Sequence, residues 1–195
     1  MRSIGSKNAV VKKPWKGNRY RVFTEERKLI FYFVFMVQQF FKVVYSYIFN
    51  GWALFRMNKV GKNVFVRKHL RVVSPQGISI GNDSRFGIYC RLECYENKGK
   101  LGHINIGHTT SMNNFCTVLC GADVNIGNFT RLASFVTIMS ESHGTNPEKG
   151  IYHKQDLVCK EVNIGEYCWL GEKTIVMPGV TIGDWSIIGA GSFNT

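Results

Sequence analysis

The sequence has 195 residues, of which 45% are hydrophobic, and carries a formal net charge of +12. An apolar share of this size supports a sizeable core and excludes a chain that is disordered throughout. The excess of 25 lysines and arginines over 13 acidic residues favours anionic partners, such as acidic membranes or phosphate-bearing ligands. Nucleic acid is not an expected partner, because the basic residues are not interleaved with aromatic residues on a recognisable binding module.

The N-terminal quarter of the chain differs from the rest. Residues 1–28 hold nine lysines and arginines against two glutamates, and Leu29 to Phe55 is apolar with eleven aromatic residues. Four polar residues recur at every fourth position and would form one stripe on a helix: Gln38, Lys42, Ser46 and Asn50. A lysine in mid-membrane costs roughly 2.5–3.5 kcal/mol, which favours an interfacial or protein-packed amphipathic helix over a spanning one. We therefore predict a basic arm and an apolar helical segment over residues 1–56.

A short phrase recurs through the C-terminal two thirds of the chain. It is ISIG at 78–81, INIG at 104–107, VNIG at 124–127 and 162–165, and VTIG at 180–183. Between these phrases a bulky apolar residue is followed four positions later by a compact one, as in Ile164/Cys168, and this pattern has a period of six. Such a period is typical of a triangular solenoid, in which each hexapeptide supplies one strand and one corner eased by glycine or asparagine. Three hexapeptides close a coil of 18 residues, the step from Ile164 to Ile182, so residues 57–195 predict an all-β solenoid of about six coils.

Two longer steps between phrases predict insertions. The step from Ile80 to Ile106 is 26 residues, so about eight residues near Glu96 to His103 should protrude. The step from Ile126 to Ile164 is 38 residues, which predicts a long loop over about 144–160. Long loops on a rigid scaffold are usually functional.

The six cysteines contain no CxxC pair and no spacing typical of a zinc ribbon. Reduced thiols are favoured over disulfides. Cys90, Cys116 and Cys168 occupy the compact inward position of their hexapeptides, which predicts a packing role.

Three segments give the sequence a family resemblance. They are Ser142-His143-Gly144 at the mouth of the long loop, VNIGEYCWLG at 162–171, and IVMPGVTIGDWSIIGAGS at 175–192. From about residue 104 to 195 the chain resembles the hexapeptide-repeat acyltransferases, and within them the maltose, galactoside and capsule-sugar O-acetyltransferases. The resemblance implies a left-handed parallel β-helix, acetyl-CoA as acyl donor, a sugar or surface-polysaccharide acceptor, and a homotrimer with active sites between subunits. It also implies a cytoplasmic enzyme, and the basic arm adds peripheral association with the inner face of the cell membrane.

The resemblance implies that His143 is the catalytic base. Histidine in general suits this role, because its unperturbed pKa of about 6.5 lies near neutrality. It places Asn113 near the acceptor, although a turn asparagine in the left-handed conformation explains that residue equally well. Glu141 would orient the imidazole, unless a backbone carbonyl does so.

The remaining residues that the resemblance assigns concern the cofactor. Trp169 would line the channel for the acceptor or for the pantetheine arm. Alternatively, it is an aromatic residue that only packs on the surface. Gly171, Ala190 and Thr195 would let the thin cofactor arm approach the backbone, although corner geometry alone also explains a glycine. No metal is required.

Three alternatives remain open. The first is N-acetylation of an amino sugar on the same scaffold. The second is a zinc enzyme similar to the γ-type carbonic anhydrases, because His103, His108 and His143 supply three histidines, although in an unusual order. The third is a non-catalytic β-helix that acts as a scaffold or binder.

Overall fold

The computed structural model describes residues 25–195, except the side chains of residues 25–28, 42, 43, 45–47, 49 and 50. Nearly all of the predicted basic arm lies outside these residues, and so do the side chains of Lys42, Ser46 and Asn50 in the predicted polar stripe. An α-helix extends over Glu25–Phe55, where the sequence predicts a helical segment. No helix in the described range combines the length and apolarity needed to cross a bilayer.

The chain divides into two units, with the boundary between Phe40 and Phe41. In the first unit, the helical side chains from Leu29 to Val37 are all exposed. In the second, Met57 is buried in the core and Leu54 packs against that core. The predicted boundary between residues 56 and 57 stays a prediction, but these contacts show that the end of the helix contributes to the solenoid core.

Three six-stranded parallel sheets form the walls of a β-helix with six coils. Sheet A consists of Lys59–Val60, Ile78–Ile80, Ile104–Ile106, Val124–Ile126, Val162–Ile164 and Thr181–Ile182. Sheet B consists of Phe65–Val66, Arg85–Phe86, Ser111–Met112, Arg131–Leu132, Trp169–Leu170 and Ile187–Ile188. Sheet C consists of Arg71–Val73, Arg91–Cys94, Thr117–Cys120, Thr137–Met139, Ile175–Val176 and Phe193–Asn194. The predicted solenoid of about six coils is therefore confirmed.

The coils stack in register, so that equivalent residues of successive repeats pair directly. Ile106 pairs with Ile80 on one side and with Ile126 on the other. The apolar residues of the repeat and their compact partners fill the interior. Thr130 and Thr174 are fully buried there and donate hydrogen bonds to the carbonyls of Gly165 and Gly189 in the next coil. No hexapeptide could bury its apolar face alone, so the stacking itself creates the core. All six cysteines are free, and Cys90, Cys116 and Cys168 are buried as predicted.

The corners correct one expectation. We expected glycine or asparagine in the left-handed conformation, and Asn63 and Gly179 do adopt it. Six of the left-handed residues, however, are aromatic: Tyr89, Phe115, Phe129, Phe135, Tyr167 and Trp185. Asn114 and Asn128 instead precede a left-handed residue, and each accepts a backbone N–H from the adjacent coil; Asn128 Oδ1, for example, lies 2.7 Å from the His108 nitrogen. Asn113 is not among the left-handed residues, so turn geometry does not account for it.

Two excursions leave the solenoid where the sequence predicts them. The first is a two-stranded antiparallel ribbon of Glu96–Asn97 and Lys100–Leu101. The second begins with an antiparallel ribbon of Glu141–His143 and Leu157–Cys159 and carries short 3₁₀ turns at Pro147–Lys149 and Tyr152–Lys154. A further 3₁₀ turn lies at Pro75–Gly77. The long excursion thus starts at Glu141, three residues before its predicted start, because its first residues are paired rather than looped.

Candidate functional site

His143 lies on the stem of the long excursion, directly after the fourth strand of sheet C. Its backbone is paired with Leu157 across the ribbon, and its side chain is exposed. Beyond it, Gln155 holds the loop together by donating hydrogen bonds of 2.8 Å to the carbonyls of Asn146 and Gly150. The scaffold therefore presents an imidazole to solvent on a paired strand, next to an organised loop.

Glu141 is the candidate partner of His143. Side chains two residues apart on a strand share one face, and Glu141 is half-buried. Burial raises the pKa of the Glu141 carboxyl, and the negative charge of Glu93 adds to this effect, whereas the positive charge of His143 lowers it. Gly121 leaves room for this arrangement, because a Cβ there would lie 2.9 Å from the Glu141 Cβ. The role of Glu141 in orienting the imidazole stays a prediction.

A buried carboxylate behind this site was not predicted from the sequence. Glu93 is 1% exposed and accepts hydrogen bonds from Arg71 at 2.6 Å, from Arg91 at 3.0 Å and from the Tyr95 hydroxyl. Burial alone would raise the pKa of Glu93, but the hydrogen bonds from Arg91, Tyr95 and Arg71 outweigh it and lower that pKa to about 2. The hydrogen bond to Glu93 raises the pKa of Tyr95 to about 12. Glu93 is therefore a fixed negative charge near Glu141.

A groove of about 600 Å³ runs across sheet B and brings Asn113 and Trp169 together. Arg131 and Trp169 are in register on neighbouring strands. Asn113 follows its strand, and its backbone N–H donates to Leu132 at 2.9 Å. Gly87 and Ala133 line the groove on either side of Asn113, so small residues form its floor. His143 is not among the residues that line this groove.

The three small residues predicted at the cofactor arm lie at different places. Gly171 is buried directly after the Trp169 strand, and a Cβ there would lie 2.5 Å from the Ala190 nitrogen, so stacking of adjacent coils accounts for the glycine. Ala190 is exposed in the following coil, and Thr195 is exposed after the last strand of sheet C. Their contact with a cofactor stays a prediction.

The histidines of the zinc alternative are engaged separately. His103 Nδ1 lies 3.2 Å from Asp123 Oδ1, and His108 Nδ1 accepts the backbone N–H of Asn82 at 3.0 Å. Among the described residues, no group of three or more histidines, cysteines and acidic residues is arranged to hold a metal ion.

The chain is similar to several known acyltransferases. Residues 161–193 match the family model of the bacterial transferase hexapeptide with six repeats. The galactoside O-acetyltransferase of Lactococcus lactis is 36% identical over 50% of this chain and 45% of that protein. The putative colanic acid biosynthesis acetyltransferase WcaF of Escherichia coli is 28% identical over 69% of this chain and 57% of that protein. The chain spans about half the length of the curated relatives it matches.

Among solved structures, a mutant of AntD matches with a TM-score of 0.62 and 22% identity over 71% of this chain and 73% of that one. AntD is an N-acyltransferase from Bacillus cereus, in complex there with dTDP-4-amino-4,6-dideoxyglucose and coenzyme A. The solenoid is thus a left-handed parallel β-helix. Residues 161–193 carry the hexapeptide repeat of bacterial transferases, and the chain is similar to galactoside and colanic acid acetyltransferases.

Proposed function

We propose that the chain transfers an acetyl group from acetyl-CoA to a hydroxyl of a sugar or surface-polysaccharide intermediate. The observation that carries the proposal is His143, an exposed imidazole on the paired stem of the long excursion, backed by Glu141. The identity of 36% with a galactoside O-acetyltransferase supports an oxygen acceptor.

In this reaction His143 takes the proton of the acceptor hydroxyl while the oxygen attacks the thioester carbonyl. A hydroxyl is a poor nucleophile near neutrality, so removal of its proton lowers the barrier. The tetrahedral intermediate then collapses, the carbon–sulfur bond breaks, and the imidazolium returns the proton to the sulfur of coenzyme A. Asn113 supplies a donor near the acceptor or the developing oxyanion.

A homotrimer would complete the site. Asn113 and Trp169 share a groove that His143 does not line, and in a homotrimer a second copy would bring its His143 to this groove. Closed symmetric assemblies reuse one interface at every site, and three copies match the triangular section of the solenoid.

The N-terminal segment supports peripheral association with an anionic membrane. Nine lysines and arginines in residues 1–28 precede a helical stretch whose apolar side chains are exposed, including Phe31 and Phe33. Basic residues near an anionic leaflet contribute about 1 kcal/mol each, and a buried apolar face adds to this. The enzyme would then act at the inner face of the cell membrane, where lipid-linked sugars are assembled.

Replacement of His143 by alanine tests the proposed chemistry. The His143→Ala variant should lose acetyl transfer by a factor on the order of 10²–10⁴, the usual span for a general base. Coenzyme A binding should change little, because the imidazole meets the acceptor. His153→Ala is the matched control, since His153 is an exposed histidine in the same excursion. Wild-type turnover in the His143 variant would refute the proposal, and transfer to amino sugars alone would establish N-acetylation instead.

A further inference from the structure

Three arginines line the groove on sheet B, namely Arg67, Arg85 and Arg131, and two of them lie on either side of Ser111. Arg85 and Arg131 pair in register with Ser111 from opposite sides, and both point outward because the next residue of each strand is buried. Neighbouring strands lie roughly 4.8 Å apart, so the Cα atoms of the two arginines are separated by roughly 10 Å. Both guanidinium groups can therefore reach the space above Ser111.

The charge of Arg85 and Arg131 is not compensated within the described residues. Neither guanidinium forms an ion pair or a side-chain hydrogen bond there, and none of the residues that line the groove is acidic. Arg71 and Arg91 on sheet C provide the contrast, because both bind the buried carboxylate of Glu93. Two uncompensated guanidinium groups in a concave site match the geometry and charge of phosphate oxygens.

The other end of the groove suits a ring. Trp169 pairs with Arg131 on the neighbouring strand and is 53% exposed, so its indole ring provides a flat apolar surface beside the guanidinium group. Asn113 adds an amide that can bind a hydroxyl. The groove volume of about 600 Å³ is within the usual range of small-molecule sites.

We propose that this groove binds the diphosphate of a sugar-diphosphate acceptor. Arg85 and Arg131 hold the phosphate oxygens, and the sugar lies toward Asn113 and Trp169. The inference rests on the proposed function, because it names the acceptor of that reaction. The shared chemistry is the diphosphate, whether the group attached to it is a nucleoside or a lipid.

Titration calorimetry on the full chain tests the site with three probes: uridine diphosphate, geranyl diphosphate and coenzyme A. At least one of the first two should bind, more weakly as salt is raised, and the preferred one identifies the attached group. Arg85→Gln and Arg131→Gln should each weaken this binding about tenfold, as expected for one lost charge-assisted contact. Arg131→Lys should lose less, because it keeps the charge without the fork. Arg56→Gln is the matched control, an exposed arginine outside the groove, and should bind like wild type.

Three results would overturn the inference. The first is that neither diphosphate binds the wild-type chain. The second is that the groove variants bind the diphosphate as well as the Arg56→Gln control does. The third is that coenzyme A competes with the diphosphate and loses affinity by the same factor in the groove variants. Thermal unfolding of each variant confirms that the fold is retained.

The activity of the chain separates this inference from the proposed function. Arginine-dependent diphosphate binding without any acetyl transfer would support the groove and refute the enzyme. Acetylation of neutral sugars as efficiently as of sugar diphosphates would support the enzyme and overturn the groove.

Discussion

Complementation between two inactive variants gives the sharpest test of a site shared between subunits. One variant, His143→Ala, keeps the groove, and the other, Asn113→Ala with Trp169→Ala, keeps the histidine. Each alone should retain on the order of 1% of wild-type activity or less, because each lacks one half of every site. A mixed trimer, however, contains interfaces at which an intact groove meets an intact His143.

The expected recovery follows from the assembly. Each site takes its groove from one chain and its histidine from the neighbour, and each element is intact in half of the chains of an equal mixture. In an unselected mixture the chance that both are intact is about one half times one half, or about a quarter of the wild-type activity. In a trimer that contains both variants, one of the three interfaces is intact, so purified mixed trimers should have about a third of the wild-type activity. At other ratios activity should follow the product of the two fractions, with its maximum at equal amounts.

The assay uses co-expression with two affinity tags, purification over both, and acetyl transfer measured by release of the coenzyme A thiol. Light scattering should give about three times 22.2 kDa for the mixed species. Variants that are purified separately and combined without subunit exchange serve as the control and should stay inactive. A doubly tagged trimer with no more activity than its parents would show that the site does not lie between subunits.

Two further predictions concern stability and location. Because hydrogen bonds lower the pKa of buried Glu93 from 4.5 to about 2, its contribution is present above about pH 4.5 and is lost as the pH falls toward 2. Glu93→Gln should reduce the free energy of unfolding in urea by about 1–3 kcal/mol at pH 7. This range is smaller than the full pKa shift would give, because Arg71 and Arg91 are 67% and 45% exposed and solvent screens their charges. An equal loss of stability at pH 2.5 would contradict this assignment. A chain that starts at Phe41 should keep acetyl transfer to a soluble acceptor and lose co-sedimentation with anionic liposomes. Failure of the full chain to bind them at low salt would refute the membrane proposal, and aggregation of the shortened chain would favour a helix packed on the trimer.

The solenoid could be predicted because its information is local. A period of six places every apolar residue and its compact partner in the interior. Successive coils can stack whenever their inward-pointing residues occupy equivalent positions. The steps of 26 and 38 residues located both excursions. The start of the long excursion was placed three residues late, because antiparallel pairing of Glu141 with Cys159 leaves no mark in the hexapeptide pattern.

The groove and the buried carboxylate depend on contacts between coils. Glu93 occupies a position that the repeat would leave exposed, and only Arg71, 22 residues earlier, together with Arg91 and Tyr95, shields and neutralises it. Arg85 and Arg131 are likewise brought together by stacking of three coils. Arginines at equivalent positions of the repeat could have indicated a basic groove. The sequence does not show, however, which of these arginines form an ion pair with an acidic residue.

The aromatic corners show how the fold offsets a local cost. A left-handed conformation costs a residue other than glycine roughly 1–2 kcal/mol, yet Phe129, Tyr167 and Trp185 adopt it on successive coils. Their rings stack with centroids 4.7 and 4.1 Å apart, and each stacked pair contributes about 0.5–1.5 kcal/mol. The spacing of the coils, roughly 4.8 Å, is close to that of stacked rings, so the same geometry that strains the backbone aligns the side chains. Stacking within one chain therefore explains the exposed aromatic side chains along these corners.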